Sequence, residues 1–163
     1  MIIRKLEKKD NAALAKMIRD VFEEHDAPRQ GTVYSDPTTD DLYELFEAAP
    51  RSVLWVAENE QHEVMGCSGI YPTAGLSADC AELVKVYVSK LARGTGLGKS
   101  LMERSIASAA ELGYKELYLE SLSSFSKAVS IYEKLGFKHL EQPLIDSVHM
   151  TCNIWMLKNI AEL

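Results

Sequence analysis

The chain has 163 residues with 18 Lys and Arg against 24 Asp and Glu, a net charge of −6, and is 47% hydrophobic and 26% charged. That balance predicts one globular domain spanning 1–163 and offers no basic surplus for a nucleic-acid partner. No apolar run reaches the roughly 18–20 residues of a membrane span, and the opening MIIRKLEKKDNAAL holds neither the apolar stretch nor the cleavage site of a secretory signal.

In chain order, Ile2–Leu6 reads as a first strand. Asp10 is the expected N-cap of an amphipathic helix carrying Leu14, Met17, Ile18, Val21 and Phe22 as far as Glu24. Residues 25–37 hold Pro, Gly, Asp and Ser and read as a loop. Thr38 or Thr39 then caps a short helix with Leu42, Leu45 and Phe46, closed by Pro50. Val53–Glu58 and Val64–Tyr71 read as an antiparallel hairpin, and residues 81–88 are strongly β-prone. A glycine-rich stretch opens a helix over 96–112, with Gly113 at its end. A strand (115–120), a helix (125–135), and strands over 137–140 and 151–157 complete the chain. The order βααβββαβαββ predicts a layered α/β architecture, a mixed sheet with helices on both faces.

The chemistry concentrates in Arg93-Gly94-Thr95-Gly96-Leu97-Gly98-Lys99-Ser100, between strand 81–88 and the following helix. A helix N-terminus presents unpaired N–H groups and the positive end of the macrodipole, and glycine lets that backbone approach a phosphate. Arg93, Lys99 and the hydroxyls of Thr95 and Ser100 add charge and donors, so the turn is expected to hold a phosphate or pyrophosphate. A Walker A loop ending in Gly98-Lys99-Ser100 needs glycine at 93, where Arg stands. A G-x-G-x-x-G fingerprint from Gly94 needs glycine at 99, where Lys stands.

The pattern [Q/R]-x-x-G-x-[G/A] does match, at Arg93, Gly96 and Gly98. With Val84, Val86 and Val88 in the preceding strand and Tyr132-Glu133-Lys134-Leu135-Gly136-Phe137 downstream, the chain resembles the GNAT N-acetyltransferases over roughly residues 53–140. The resemblance implies a mixed, mostly antiparallel sheet of about seven strands. It implies acetyl-CoA as co-substrate, without a metal, lying where the central strand splays from its neighbour. The backbone of Val86 and Val88 would then pair with the pantetheine arm, a donor near Val86 would polarise the thioester carbonyl, and the turn from Arg93 to Ser100, including Leu97, would hold the pyrophosphate. Transfer to a primary amine of a small molecule or protein would be direct. A catalytically idle acyl-CoA-binding module is the alternative, and a homodimer is an available assembly that no sequence feature demands.

Tyr132 is the expected general acid and Glu82 the expected base. Glu82 lies eleven residues before Arg93, the spacing of the glutamate base in the histone-acetylating branch, and by simple alternation shares a face with Val84, Val86 and Val88. A bulge in the strand would change that parity. Phe125 occupies the position, seven before Tyr132, where many relatives carry a cofactor-contacting Asn. Cys67, Cys80 and Cys152 form no CxxC pair and suit a reducing cytoplasm as packing thiols. A His149–Cys152 nucleophile pair is disfavoured because the three-residue spacing puts the two on opposite strand faces. Tyr34, Tyr71 and Trp155 are candidates for the pocket wall or for plain packing, and residues 25–48 for acceptor specificity, with Asp26, Asp36, Asp40 and Asp41 in that region.

Overall fold

Val53–Glu58 and Val64–Tyr71 carry apolar or small residues on both faces and are buried along most of their length, so both faces need cover, and the chain supplies it with helices taken from either side. The structure, a computed structural model, describes residues 1–146 and 151–161. Its strands are β1 (Ile2–Lys5), β2 (Val53–Glu58), β3 (Val64–Tyr71), β4 (Cys80–Val88), β5 (Glu116–Ser121), β6 (Lys138–His139) and β7 (Ile154–Asn159). They form one seven-stranded sheet in the order β1-β2-β3-β4-β5-β7-β6. Only β4 and β5 run parallel, so the mixed, mostly antiparallel sheet expected from the sequence is what forms.

Helices α1 (Asn11–Glu24) and α2 (Leu42–Glu47) cover one face, burying Leu14, Ile18, Phe22, Leu42 and Phe46 against Leu54, Val56 and Cys67. Helices α3 (Leu97–Glu111) and α4 (Ser126–Lys134) cover the other, with Met102, Ile106, Ala109, Val129 and Tyr132 packed on Ile70, Leu83, Leu117 and Leu119. Each fully buried aliphatic or aromatic side chain contributes on the order of 1.5–3 kcal/mol. Helix α3 comes closest to the sheet at Gly66, where an added Cβ would stand 3.0 Å from Leu101 Cδ1 and from the Tyr87 carbonyl.

Several local expectations are revised. Asp10 stands at the N-cap of α1, yet its carboxylate does not cap that helix. It accepts from the Glu7 N–H at 2.8 Å and takes both guanidinium nitrogens of Arg4 at 2.9 Å, tying β1 to α1. The Arg4 charge holds the Asp10 carboxyl below its ordinary range, against the opposing push of burial. Neither Thr38 nor Thr39 caps the helix carrying Leu42, Leu45 and Phe46: α2 starts after Asp41 with no side-chain cap, and the two threonines lie in a separate helical turn, Pro37–Asp40, that Asp36 caps by accepting from the Thr38 N–H at 2.9 Å. Strand β6 contracts to two residues, and β7 begins at Ile154 rather than at 151.

Candidate active site

Strands β4 and β5 share a ladder only over Cys80↔Glu116, Ala81↔Leu117 and Glu82↔Tyr118. Beyond Glu82 they part, although β4 continues to Val88 and β5 to Ser121. The fork opens a cavity of about 1100 Å³ lined by both strands, the start of α3, one side of α4 and the loop around Gly31–Thr38.

At one end lies the glycine-rich turn. Gly94 and Gly96 have φ of +76° and +81°, a left-handed backbone that other residues adopt only with strain. A Cβ added at either would meet nothing within 4 Å, and one at Gly98 would touch only Val88 Cγ2, at 3.5 Å. Packing therefore does not demand glycine at 98, and the space above all three is open. The N–H groups of residues 94–99 donate to no described residue. Open space beside a run of unspent donors at the start of a helix is the cradle a pyrophosphate requires. Arg93, Gly94, Gly96, Leu97, Gly98 and Lys99 line the cavity together with Val86 and Val88, whereas Thr95 and Ser100 do not. The Thr95 hydroxyl turns back to donate to the Ala92 carbonyl at 2.6 Å. Arg93 pairs with Glu24 on α1 and donates to the Val88 carbonyl at 3.1 Å, fixing the strand end beside the turn.

At the other end, Glu82 sits at the crotch of the fork. Thr73 Oγ1 donates to its Oε1 at 2.6 Å. Burial, reinforced by the nearby charge of Glu120, pushes the Glu82 carboxyl up to about 7, against the Thr73 hydrogen bond and the positive charge of Lys85. Tyr132 lines the same cavity from α4, its ring edge-on to Phe137 at 5.9 Å. Burial raises its phenol well above the ordinary range, so it keeps its proton at neutral pH. Its hydroxyl has no partner among the described residues.

The chain matches the acetyltransferase (GNAT) family over residues 18–137. It is 36% identical over 160 residues to the uncharacterized N-acetyltransferase YjgM of Escherichia coli, covering 98% of this chain and 95% of that one. This chain belongs to the GNAT acetyltransferase family. Among solved structures, a GNAT-family acetyltransferase of Staphylococcus aureus superposes with a TM-score of 0.82 at 20% identity over 98% of each chain. YncA of Salmonella typhimurium, determined with its cofactor acetyl-CoA, superposes with a TM-score of 0.77 at 21% identity over all of this chain and 95% of that one. The two structures show the fold, and the sequence matches show an N-acetyltransferase.

The acetyltransferase departs from simple alternation in β4. Cys67 pairs with Tyr87 and Gly69 with Val84, so Lys85 and Val86 together stand opposite Ser68, and Lys85 takes φ +55°. This bulge reverses the side chains that follow it. Val84 and Tyr87 pack with the α1 and α2 layer, while Val86 and Val88 pack toward α3. Glu82 consequently does not share a face with Val86 and Val88, which corrects the parity expected from the sequence.

Among the cavity-lining residues of the acetyltransferase, Lys85 and Tyr87 escaped the sequence reading, while Phe125, singled out there for its position, lines the cavity as well. A Val-Lys-Val-Tyr strand carries no signal of which residue will bulge. Phe125 packs edge-on to Phe22 at 5.3 Å and lies 6.4 Å from the Tyr87 ring, replacing a polar contact by an aromatic wall. Tyr71 lines the cavity, whereas Tyr34 and Trp155 do not, and Asp40 is held bidentate by Arg19 at 2.7 and 3.0 Å. Burial pushes the Cys152 thiol up to about 12, so it is no thiolate at neutral pH. His149 lies outside the described residues. Among the described residues no His, Cys, Asp and Glu group has metal-binding geometry, and no helix is long and apolar enough to cross a membrane.

Proposed function

We propose that the protein, as one domain over residues 1–163, transfers the acetyl group of acetyl-CoA directly to a primary amine on a small molecule or protein. The observation that carries this reading is the continuity of one cavity from the open, donor-rich glycine turn to the deep-set carboxylate of Glu82. Bound acetyl-CoA supplies an activated thioester. The free N–H groups of residues 94–99 hold its pyrophosphate, with Lys99 adding charge at the rim. The β4 backbone at Val86 and Val88, past the point where β5 has parted, runs beside the pantetheine arm, and a donor near Val86 stabilises negative charge on the acyl oxygen. Glu82 takes a proton from the attacking amine, a task suited to a carboxylate near 7. Tyr132, protonated across the physiological range, gives a proton to the departing sulfur.

Calorimetric titration with acetyl-CoA, with Mg-ATP and NAD as controls, tests the cofactor, and CoA release with a panel of amines tests transfer. Micromolar binding of acetyl-CoA alone, followed by amine-dependent CoA release, is the expected result. Binding of ATP without acetyl-CoA would overturn the reading of the turn, and binding without release for any amine would overturn the reading of transfer.

A further inference from the structure

The wall of the cavity that carries Glu82 also carries a cation that the transfer chemistry leaves unused. Lys85, three residues along β4, lines the cavity and accepts the left-handed φ of the bulge. Its ammonium has no hydrogen bond and no ion pair with any described residue. The carboxylates around it are each engaged elsewhere. Glu82 accepts from Thr73 at 2.6 Å, Glu120 accepts from the Tyr118 hydroxyl at 2.7 Å, and Asp36 accepts from the Thr38 N–H and hydroxyl at 2.9 and 2.7 Å. Burial is the largest influence on Lys85 and lowers its pKa, while the charges of Asp36 and Glu82 oppose that shift. A deep-set ammonium without a hydrogen-bonding partner is costly unless something else supplies one.

We infer that Lys85 receives a carboxylate of the acceptor, and that the acceptor is a small zwitterion of the amino-acid class. This rests on the reading of Glu82 as the base that faces the acceptor's amine. Glu82 and Lys85 lie three residues apart on one strand, line the same cavity and feel each other's charge, so one short ligand can offer an amine to Glu82 and an anion to Lys85. An α-amino acid carries both groups, whereas a polyamine or an unsubstituted alkylamine offers Lys85 nothing. The bulge serves this arrangement, because Lys85 comes within reach of the charges of Asp36 and Glu82.

The test uses L-α-amino acids, each paired with the amine that lacks only its carboxyl group and with its α-carboxamide, assayed by CoA release. The wild-type protein is expected to favour the free acid in the best-used set by about tenfold or more in kcat/KM. Lys85→Met, which keeps the length of the side chain, should raise KM for the acid by about tenfold relative to the decarboxylated amine when both are assayed at about pH 9, where Glu82 is ionised even after loss of the Lys85 charge that opposes its raised pKa. Lys85→Arg should retain much of the preference. Acetyl-CoA affinity and thermal midpoint of each variant check that fold and cofactor site are intact. Equal or faster use of decarboxylated amines by the wild type, or an equal loss for both partners in Lys85→Met, would overturn the inference. Should no amine be acetylated while acetyl-CoA binds, transfer itself has failed. Calorimetric titration of the CoA-loaded protein with the same amino acids then decides the inference alone: binding lost in Lys85→Met supports it, and no binding, or binding unchanged in the variant, refutes it.

Discussion

Replacing Glu82 by Gln separates the cost of this carboxylate to the fold from its service to catalysis, because the two move in opposite directions. The group is raised from an ordinary 4.5 to about 7. At about 1.4 kcal/mol per pH unit, that interval corresponds to roughly 3 kcal/mol. Below 4.5 the folded and unfolded chains both carry the proton, and the group costs nothing. Between 4.5 and 7 the unfolded chain has released it and the folded chain has not, so stability falls as pH rises; above 7 the full cost is present. Glutamine escapes the cost and keeps an oxygen to accept from Thr73. Lys85 and Glu120, the other charges acting on the site, are unchanged in the variant. Calorimetry should therefore show little change in Tm at pH 4.5 and a gain of roughly 6–12 °C at pH 8.5, at about 2–4 °C per kcal/mol for a chain of this size. In CoA-release assays, wild-type turnover should rise about tenfold per pH unit below 7 and level off above it, while Glu82→Gln should lie about 10²-fold or more lower and lose that rise. A variant with wild-type rate and pH profile would place the base elsewhere. A variant no more stable at pH 8.5 would show that the carboxylate is well solvated, and the argument for its raised pKa would fall.

Gly98→Val should weaken acetyl-CoA binding by about tenfold or more in calorimetry, because the added side chain enters space that the protein itself leaves open. Unchanged affinity in the folded variant would remove the pyrophosphate from this turn. Tyr132→Phe should lower kcat by about 10²-fold with little change in acetyl-CoA affinity, and wild-type turnover would leave the ring a packing role alone. Cys152→Ser should keep turnover within about twofold and show no acetylated protein by mass spectrometry, since direct transfer needs no nucleophile. Loss of activity there would reopen a covalent route.

The elements that set the fold were legible because each carries its own signal. The β4 run from Ala81 to Val88, the glycines of the turn, and Gly113 and Gly136 after their helices all mark boundaries by local physics. The open, left-handed turn at residues 94–99 was legible from its glycines, and features made by long-range packing were less so. Arg93 lines the cavity beside the turn, but its partner Glu24 lies at the far end of α1, and no local pattern announces that pair. Asp10 reads as a cap until Arg4 claims it from the neighbouring strand. Lys85 was missed for a related reason. In an alternating strand it is an ordinary charged residue, and only the register of β3 against β4 shows it inside the cavity.

That register also explains how one strand serves two chemistries. Strict alternation would set Glu82, Val84, Val86 and Val88 on one face, putting the carboxylate in line with the apolar residues that pack toward α3. The bulge at Lys85 and Val86 instead gives Glu82 and Val84 to the α1 and α2 layer and returns Val86 and Val88 to the α3 side. A left-handed φ at a residue with a Cβ costs about 1–2 kcal/mol, and the cost falls on a lysine whose ammonium has no partner among the described residues. Glycine at 85 would satisfy the backbone more cheaply. Lysine there is what a fold does not need and an anionic acceptor does, so Lys85→Gly should leave the protein more stable and less selective for carboxylates. A variant that lost stability and kept its selectivity would mean the side chain serves the fold instead.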